Sequence, residues 1–276
     1  MDIVTKIIIL GENGMLGNYM KKYFTENSKL YVVCINRTHY DAFTDNITKL
    51  ENILKDHLNK NTVVFNAIGV IPQATDKYQL TDKHYIVINA EFPHKLSLLC
   101  EQYNAKLIHP TTDCVYSGNK GNYVETDEHD EINTYGKSKS LGEPLNCTVI
   151  RTSIIGEEVN SNKSLVEWVK SNNYKEINGY VNHYWNGITC LQYAKIVEYI
   201  INNNIFWQGV RHIYSPDTVS KYELVCLIND IYKLNIKINK YDICNKTDKS
   251  LLSIYEENNL FNIPCLKQQI MEMLDF

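Results

Sequence analysis

The chain has 276 residues, 44% of them hydrophobic and 22% charged, with a net charge of -4 and a pI near 6.1. That length supports one large or two modest domains with buried cores, and the charge balance leaves no general basic surface for nucleic acid. No segment reaches transmembrane length and "MDIVTKIIIL" lacks a basic leader and a cleavage site, while the eight cysteines and eight histidines show no CxxC, HExxH or other metal spacing. A cytoplasmic protein with reduced thiols, no membrane contact and no metal is expected.

"KIIIL" (6–10) reads as a buried first strand, and "ILGENGMLG" leads from it into a helix over 15–26. Gly11, Gly14 and Gly17 form GxxGxxG. The first glycine permits a tight turn, the second lets backbone approach a pyrophosphate, and the third lets helix and strand pack closely. The strand–turn–helix context makes Gly11, Asn13, Gly14, Met15, Leu16 and Gly17 candidate dinucleotide contacts. The second strand, "YVVCI" (31–35), ends at Asn36 and Arg37, where an acid would hold the adenosine ribose of NAD. An arginine there suits a 2′-phosphate, so NADP(H) is the expected cofactor; the bland reading of Arg37 is a solvated loop charge.

Further along come a helix over 46–58, a strand at 62–67, a helix over 82–102, a strand at 105–109, a helix over 134–143 and a strand at 148–151. Apolar strands alternating with helices predict an α/β fold, a Rossmann-like doubly wound parallel sheet covered on both faces. Beyond residue 155 the pattern changes to helices at 163–171, 189–203 and 220–234 with short strands near 174–177 and 209–214. This predicts a smaller α/β substrate-binding lobe. The expected division is a Rossmann domain over 1–155 and a lobe over 156–276, interleaved with the first.

"TTDCVYSG" (111–118) looks like a strand end opening into a loop, with Thr112 and Cys114 on one face. "TYGKSK" puts Tyr135 and Lys139 four apart on one helix face. An ammonium beside a phenol favours the phenolate, so such a tyrosine can exchange a proton near neutral pH. YxxxK alone arises often by chance. Its order after a dinucleotide turn and a strand-end hydroxyl is much more specific.

With "GENGMLG", "FNAIG", "TTDCVYSG", "YGKSKSLGE", "IRTSIIG" and "NHYWNGIT" in this order, the chain resembles an extended short-chain dehydrogenase/reductase. It is most similar to the dTDP-4-dehydrorhamnose reductase family. The resemblance implies NADPH-dependent reduction of the 4-keto group of a UDP- or dTDP-linked 6-deoxyhexose, giving an L-rhamnose-type sugar nucleotide, by a homodimer. By position, Thr112 would hold the ketone, Tyr135 would protonate the alkoxide, and Lys139 would bind the nicotinamide ribose. Asp41 and Ala42 would lie near the adenine, and Ala67, Ile68 and Gly69 along the cofactor. Asn89 would support the active-site network, and His183, Trp185 and Asn186 would contact substrate from a loop, a core role for Trp185 being equally open.

The chain departs from the family's usual pattern at Cys114, often a tyrosine, and at Ile154, often a tryptophan. A cysteine two residues after the catalytic hydroxyl also resembles GDP-fucose synthase, where it takes part in epimerisation. This implies a 3- or 3,5-epimerase step with Cys114 as base and Lys163 as its first candidate partner, Lys175 and His183 behind it. Against it stands the reading of Cys114 as a small buried hydrophobe. The alternative function is a catalytically silent regulatory subunit like that of methionine adenosyltransferase.

Overall fold

The computed structural model describes residues 3–74, 79–158 and 164–276. Strand β1 (Lys6–Leu10) runs into helix α1 (Met15–Asn27), followed by β2 (Tyr31–Ile35), α2 (Ile47–Leu54) and β3 (Thr62–Asn66). A short helical turn (Asp82–His84) and a π-helical stretch (Tyr85–Glu91) lead into α3 (Phe92–Gln102), then β4 (Lys106–Thr112), α4 (Thr134–Leu141) and β5 (Thr148–Thr152). Then come β6 (Ile154–Ile155), α5 (Leu165–Ser171), β7 (Glu176–Tyr180), β8 (His183–Trp185), β9 (Ile188–Thr189) and α6 (Cys190–Asn203). The chain closes with β10 (Gly209–His212), β11 (Val219–Ser220), α7 (Lys221–Ile231), β12 (Lys237–Tyr241), β13 (Thr247–Asp248) and α8 (Leu266–Asp275).

The described fold divides into two compact units that alternate along the chain. One comprises 1–112, 132–150 and 194–210; the other comprises 113–131, 151–193 and 211–276. The main sheet has six strands in the order β10-β5-β4-β3-β1-β2. β2, β1, β3 and β4 pair in parallel, with Leu10 level with Ile35 on one side and Asn66 on the other. The chain therefore leaves β1 for β2 and returns to β3 on β1's other flank. This is the strand-order reversal where α/β sheets bind ligands beyond their carboxyl ends. Strands β1 and β3 are buried almost throughout because helices cover both faces, which explains the unbroken apolar runs. The first unit's core joins Ile8, Leu10 and Val64 to Leu50, Leu54, Phe92 and Leu96 of the covering helices.

The second unit holds a three-stranded sheet, β11-β8-β13, and the parallel pairs β12-β7 and β6-β9. Helix α7 packs on β7, β11 and β12, and α8 packs on β9 and α7. A capping box starts α7: Ser220 caps the helix and Glu223 reaches back to accept from the Ser220 N–H at 2.7 Å. Three expectations are corrected. The 46–58 helix stops at Leu54, where the chain turns so that Leu58 also enters the core. The 220–234 helix stops at Ile231, because Lys233 takes a left-handed conformation (φ 52°). "NHYWNGIT" is not a loop, since Trp185 pairs with Val219 and is 3% exposed.

Candidate active site

The dinucleotide turn is built by its glycines. Gly11 has φ 83°, and a Cβ there would stand 3.0 Å from the backbone of Ala67 and Ile68. A Cβ on Gly17 would come within 2.2 Å of the Gly11 carbonyl oxygen. Both positions exclude a side chain for reasons of contact, and Gly11 also for its backbone conformation. Gly14 is the N-cap of α1 and supplies no side-chain hydrogen bond, so no capping side chain occupies the N–H groups of the first turn. This is the donor arrangement that suits a pyrophosphate. Asn13 is exposed at the turn's tip. Ile68 N–H donates to Asn66 Oδ1 at 3.1 Å, which fixes the Ala67–Gly69 stretch beside the turn.

Beside the end of β2, one residue of the turn escaped the sequence reading. Glu12 is buried; its Oε1 accepts from Asn36 Nδ2 at 3.0 Å and its Oε2 pairs with Lys21. Burial raises the Glu12 carboxyl, but the hydrogen bonds from Lys21 and Asn36 outweigh it and hold the group below its ordinary value. Arg37 is exposed, with its Nε 3.7 Å from Asp41. Asp41 Oδ1 accepts from the Phe43 N–H at 2.8 Å, and Ala42 is buried in the core. No sequence signal singled out Glu12, because its partners come from β2's end and from a later turn of α1.

The Tyr135 end belongs to the same unit. Asn133 caps α4 through a 2.8 Å bond from the Gly136 N–H to its Oδ1, which starts the helix one residue before Tyr135. Tyr135 is half-buried, edge-on to Tyr85 at 6.3 Å. Lys139, one turn on, is buried. A Cβ on Gly69 would lie 3.0 Å from Lys139 Nζ, so Gly69 leaves the space that the ammonium uses. Burial pushes this ammonium down to about 8, against a smaller pull from Glu143. Asn89, in the π-helical stretch, donates to Ser138 Oγ at 3.2 Å, and Ser138 donates to the Tyr135 carbonyl at 2.8 Å. Gly142 closes the arrangement: a Cβ there would be 1.8 Å from the Asn89 carbonyl oxygen. Thr112 is half-buried at the last position of β4. The structure thus gathers Asn89, Tyr135, Lys139 and Gly69.

The remaining candidates lie in the second unit. Cys114 sits in a single 3-10 turn, Asp113–Val115, with Sγ 3.5 Å from Asp113 Oδ1. Lys163 falls outside the described residues. Lys175 is exposed and donates to the Ser171 carbonyl at 2.9 Å. The His183 ring lies 5.0 Å from that of Tyr180, tilted against it by 43°. Asn186 bonds both backbone groups of Leu251 at 2.8 Å, a structural commitment that its place in the motif did not reveal. Sequence reasoning also missed a buried cluster around Arg151, which donates to Tyr116 Oη at 2.6 Å and to the Nε2 atoms of His212 and His129 at 2.8 Å. Among the described residues no helix is long and apolar enough to cross a membrane, and no group of histidines, cysteines and carboxylates is placed to hold a metal.

The RmlD substrate binding domain family matches residues 5–243. The dTDP-4-dehydrorhamnose reductase of Aggregatibacter actinomycetemcomitans is 25% identical over 242 residues, 82% of this chain and 79% of that protein. Subunit beta of methionine adenosyltransferase 2 from Bos taurus is 22% identical over 252 residues, 83% of this chain and 72% of that protein. Among solved structures, a Bacillus anthracis dTDP-4-dehydrorhamnose reductase in complex with NADP superposes with a TM-score of 0.80 at 18% identity, over 99% of both chains. At that identity the structural likeness speaks for the fold alone.

Proposed function

The chain belongs to the RmlD substrate binding domain family, the dTDP-4-dehydrorhamnose-reductase-like branch of the extended short-chain dehydrogenases/reductases, and we propose that it is an NADPH-dependent 4-keto reductase of a nucleotide-linked 4-keto-6-deoxyhexose. The observation that carries this reading is the joining, in one unit, of an uncapped glycine turn with Tyr135 and the buried Lys139 on one helix face. The residues fit the cofactor: Gly11 and Gly17 keep the turn clear of side chains, and Gly69 leaves room beside Lys139.

Bound NADPH would supply a hydride to the C4 carbonyl of the sugar. Thr112 donates a hydrogen bond to the carbonyl oxygen, and Tyr135 gives its phenolic proton to the alkoxide that forms. Lys139 favours the phenolate left behind and donates to the nicotinamide ribose. The N-terminus of α1 holds the pyrophosphate and Arg37 the 2′-phosphate. The second unit carries the sugar-nucleotide lobe. Before reduction, the C4 ketone acidifies the C3 and C5 protons, and Cys114 acts there as the base of a 3- or 3,5-epimerisation that leads to an L-rhamnose-type product.

NADPH oxidation at 340 nm with UDP- and dTDP-4-keto-6-deoxyglucose, and product identification by mass and NMR, tests the reductase reading. The similarity to methionine adenosyltransferase 2 subunit beta supports the alternative of a silent regulatory subunit. NADPH binding without oxidation in the presence of either sugar nucleotide favours that alternative.

A further inference from the structure

Strand β2 ends without an acid, at Asn36 and Arg37, yet a carboxylate reaches that end from the glycine turn. Glu12 is 6% exposed, and its Oε1 accepts from Asn36 Nδ2 at 3.0 Å. The direction of that bond is fixed from the other side of the amide. Asn36 Oδ1 accepts from the Thr38 N–H at 3.0 Å and from Thr38 Oγ1 at 2.6 Å. A backbone N–H can only donate, so Oδ1 faces Thr38 and Nδ2 faces Glu12. The Asn36 carbonyl accepts from the His39 and Tyr40 N–H groups, both at 3.1 Å. Glu12 is thus tied to the tight turn that carries Arg37.

An acid at the end of the second strand selects between two cofactors. It accepts from the 2′-hydroxyl of the adenosine ribose and favours NAD(H), whereas a 2′-phosphate meets it as a like charge. A bare Glu12 would therefore oppose the 2′-phosphate that Arg37 is read to bind. Lys21 removes the conflict. It lies in the second turn of α1, and its Nζ donates to Glu12 Oε2 at 2.5 Å. Burial raises the Glu12 carboxyl, but the bonds from Lys21 and Asn36 bring it below its ordinary value, so the group is an anion at neutral pH. The half-exposed Lys21 ammonium cancels that charge at its source, and the pair adds no net charge beside Arg37.

We propose that Lys21 determines cofactor specificity: by pairing with Glu12 it cancels a carboxylate charge at the end of β2, and so admits a 2′-phosphate where a buried acid would otherwise favour the 2′-hydroxyl of NADH. The inference rests on the reading of this end of β2 as the adenosine site and of NADPH as the cofactor. Lys21 acts through Glu12 and is a positioning residue; the direct contact to the phosphate belongs to Arg37. This gives it a signature that a lysine touching the phosphate would lack. Its effect vanishes once Glu12 carries no charge.

The experiment is calorimetric titration of the full-length protein with NADPH and with NADH, at low and at high salt; neither titration needs turnover. At low salt, Lys21→Met should lower the NADPH-to-NADH affinity ratio by about 10-fold, the scale of one uncompensated charge near a phosphate at a protein surface. The drop should shrink at about 1 M NaCl, where the Debye length is about 3 Å. Lys21→Arg should keep the wild-type ratio. Glu12→Gln, which retains an acceptor for Asn36, should raise the ratio, and adding Lys21→Met to it should change nothing further. A wild-type ratio in a folded Lys21→Met protein overturns the proposal. So does equal weakening of both cofactors, which marks a structural role. A loss undiminished in the Glu12→Gln background also overturns it, because Lys21 would then be the phosphate ligand itself. The cofactor reading fails separately. A wild type with no preference for NADPH, in which Lys21→Met still lowers the ratio, removes the NADPH assignment and keeps Lys21. A wild type that prefers NADPH, with the ratio unmoved in Lys21→Met, removes Lys21 and keeps the assignment.

Discussion

Asn89 Oδ1 accepts from the Val70 N–H and Asn89 Nδ2 donates to the Val70 carbonyl, both at 2.9 Å, so one side chain clamps a backbone segment 19 residues away. The clamp fixes the stretch after β3 beside Ser138 of α4, where Tyr135 is carried. Asn89→Leu leaves buried backbone groups unsatisfied. It should cost about 1–3 kcal/mol for each group lost, measured by urea unfolding, and lower turnover by misplacing Gly69. Unchanged stability would mean that water replaces the amide.

Tyr135→Phe removes the phenolic proton and keeps the ring against Tyr85. Turnover should fall by roughly 10²–10⁴, while NADPH affinity and melting temperature stay close to wild type. Near-normal turnover places the proton donor elsewhere.

Arg37→Ala should weaken NADPH far more than NADH in calorimetric titrations, because only NADPH carries the 2′-phosphate. Lys21→Ala should act in the same direction by leaving the Glu12 carboxylate unbalanced next to Asn36. Equal losses for both cofactors in the Arg37 variant sink the assignment.

His212 is buried, accepts from Arg151 at Nε2, and faces the Leu252 and Tyr123 carbonyls with Nδ1 at 2.7 and 3.1 Å. Burial, followed by the Arg151 charge, pushes its imidazole down to about 4 from 6.5. The unfolded chain therefore binds the proton more readily between those values. Stability is fully present above pH 6.5 and is lost as the pH falls through about 4. Urea unfolding at a series of pH values should show this slope in wild type, and His212→Gln should flatten it. An equal slope in both proteins assigns the acid sensitivity to other groups.

Trp185 lies in β8, and a Cβ on Gly187 would come within 2.4 Å of its ring. Trp185→Ala should destabilise by about 3–5 kcal/mol, as expected for a large buried aromatic. A variant that folds with wild-type stability yet loses sugar-nucleotide affinity would instead make the ring a substrate wall.

The parallel sheet was legible because its strands are covered on both faces. "KIIIL" and "TVVFN" had to be unbroken apolar runs, and the helices between them had to show a period of 3.6. The glycine turn was equally legible, since Gly11 and Gly17 answer to backbone contacts that no other residue tolerates. The spacing of Tyr135 and Lys139 followed from helix geometry alone. In the second unit the strands are two to five residues long and pair across distant segments, as β8 does with β11 and β13. Such short elements carry too little periodicity to mark themselves, and "NHYWNGIT" therefore read as a loop.

Local pattern determined the residues whose roles depend on neighbours in the chain: the three glycines, the YxxxK pair, and the cap at Ser220. Tertiary structure alone decided which distant charges meet. Glu12 finds Asn36 and Lys21, and Arg151 finds His212 and His129. The physical reason is that side-chain periodicity reports which face of an element is buried, whereas an electrostatic partner is chosen by which other element covers that face. That choice is fixed only when sheets and helices pack.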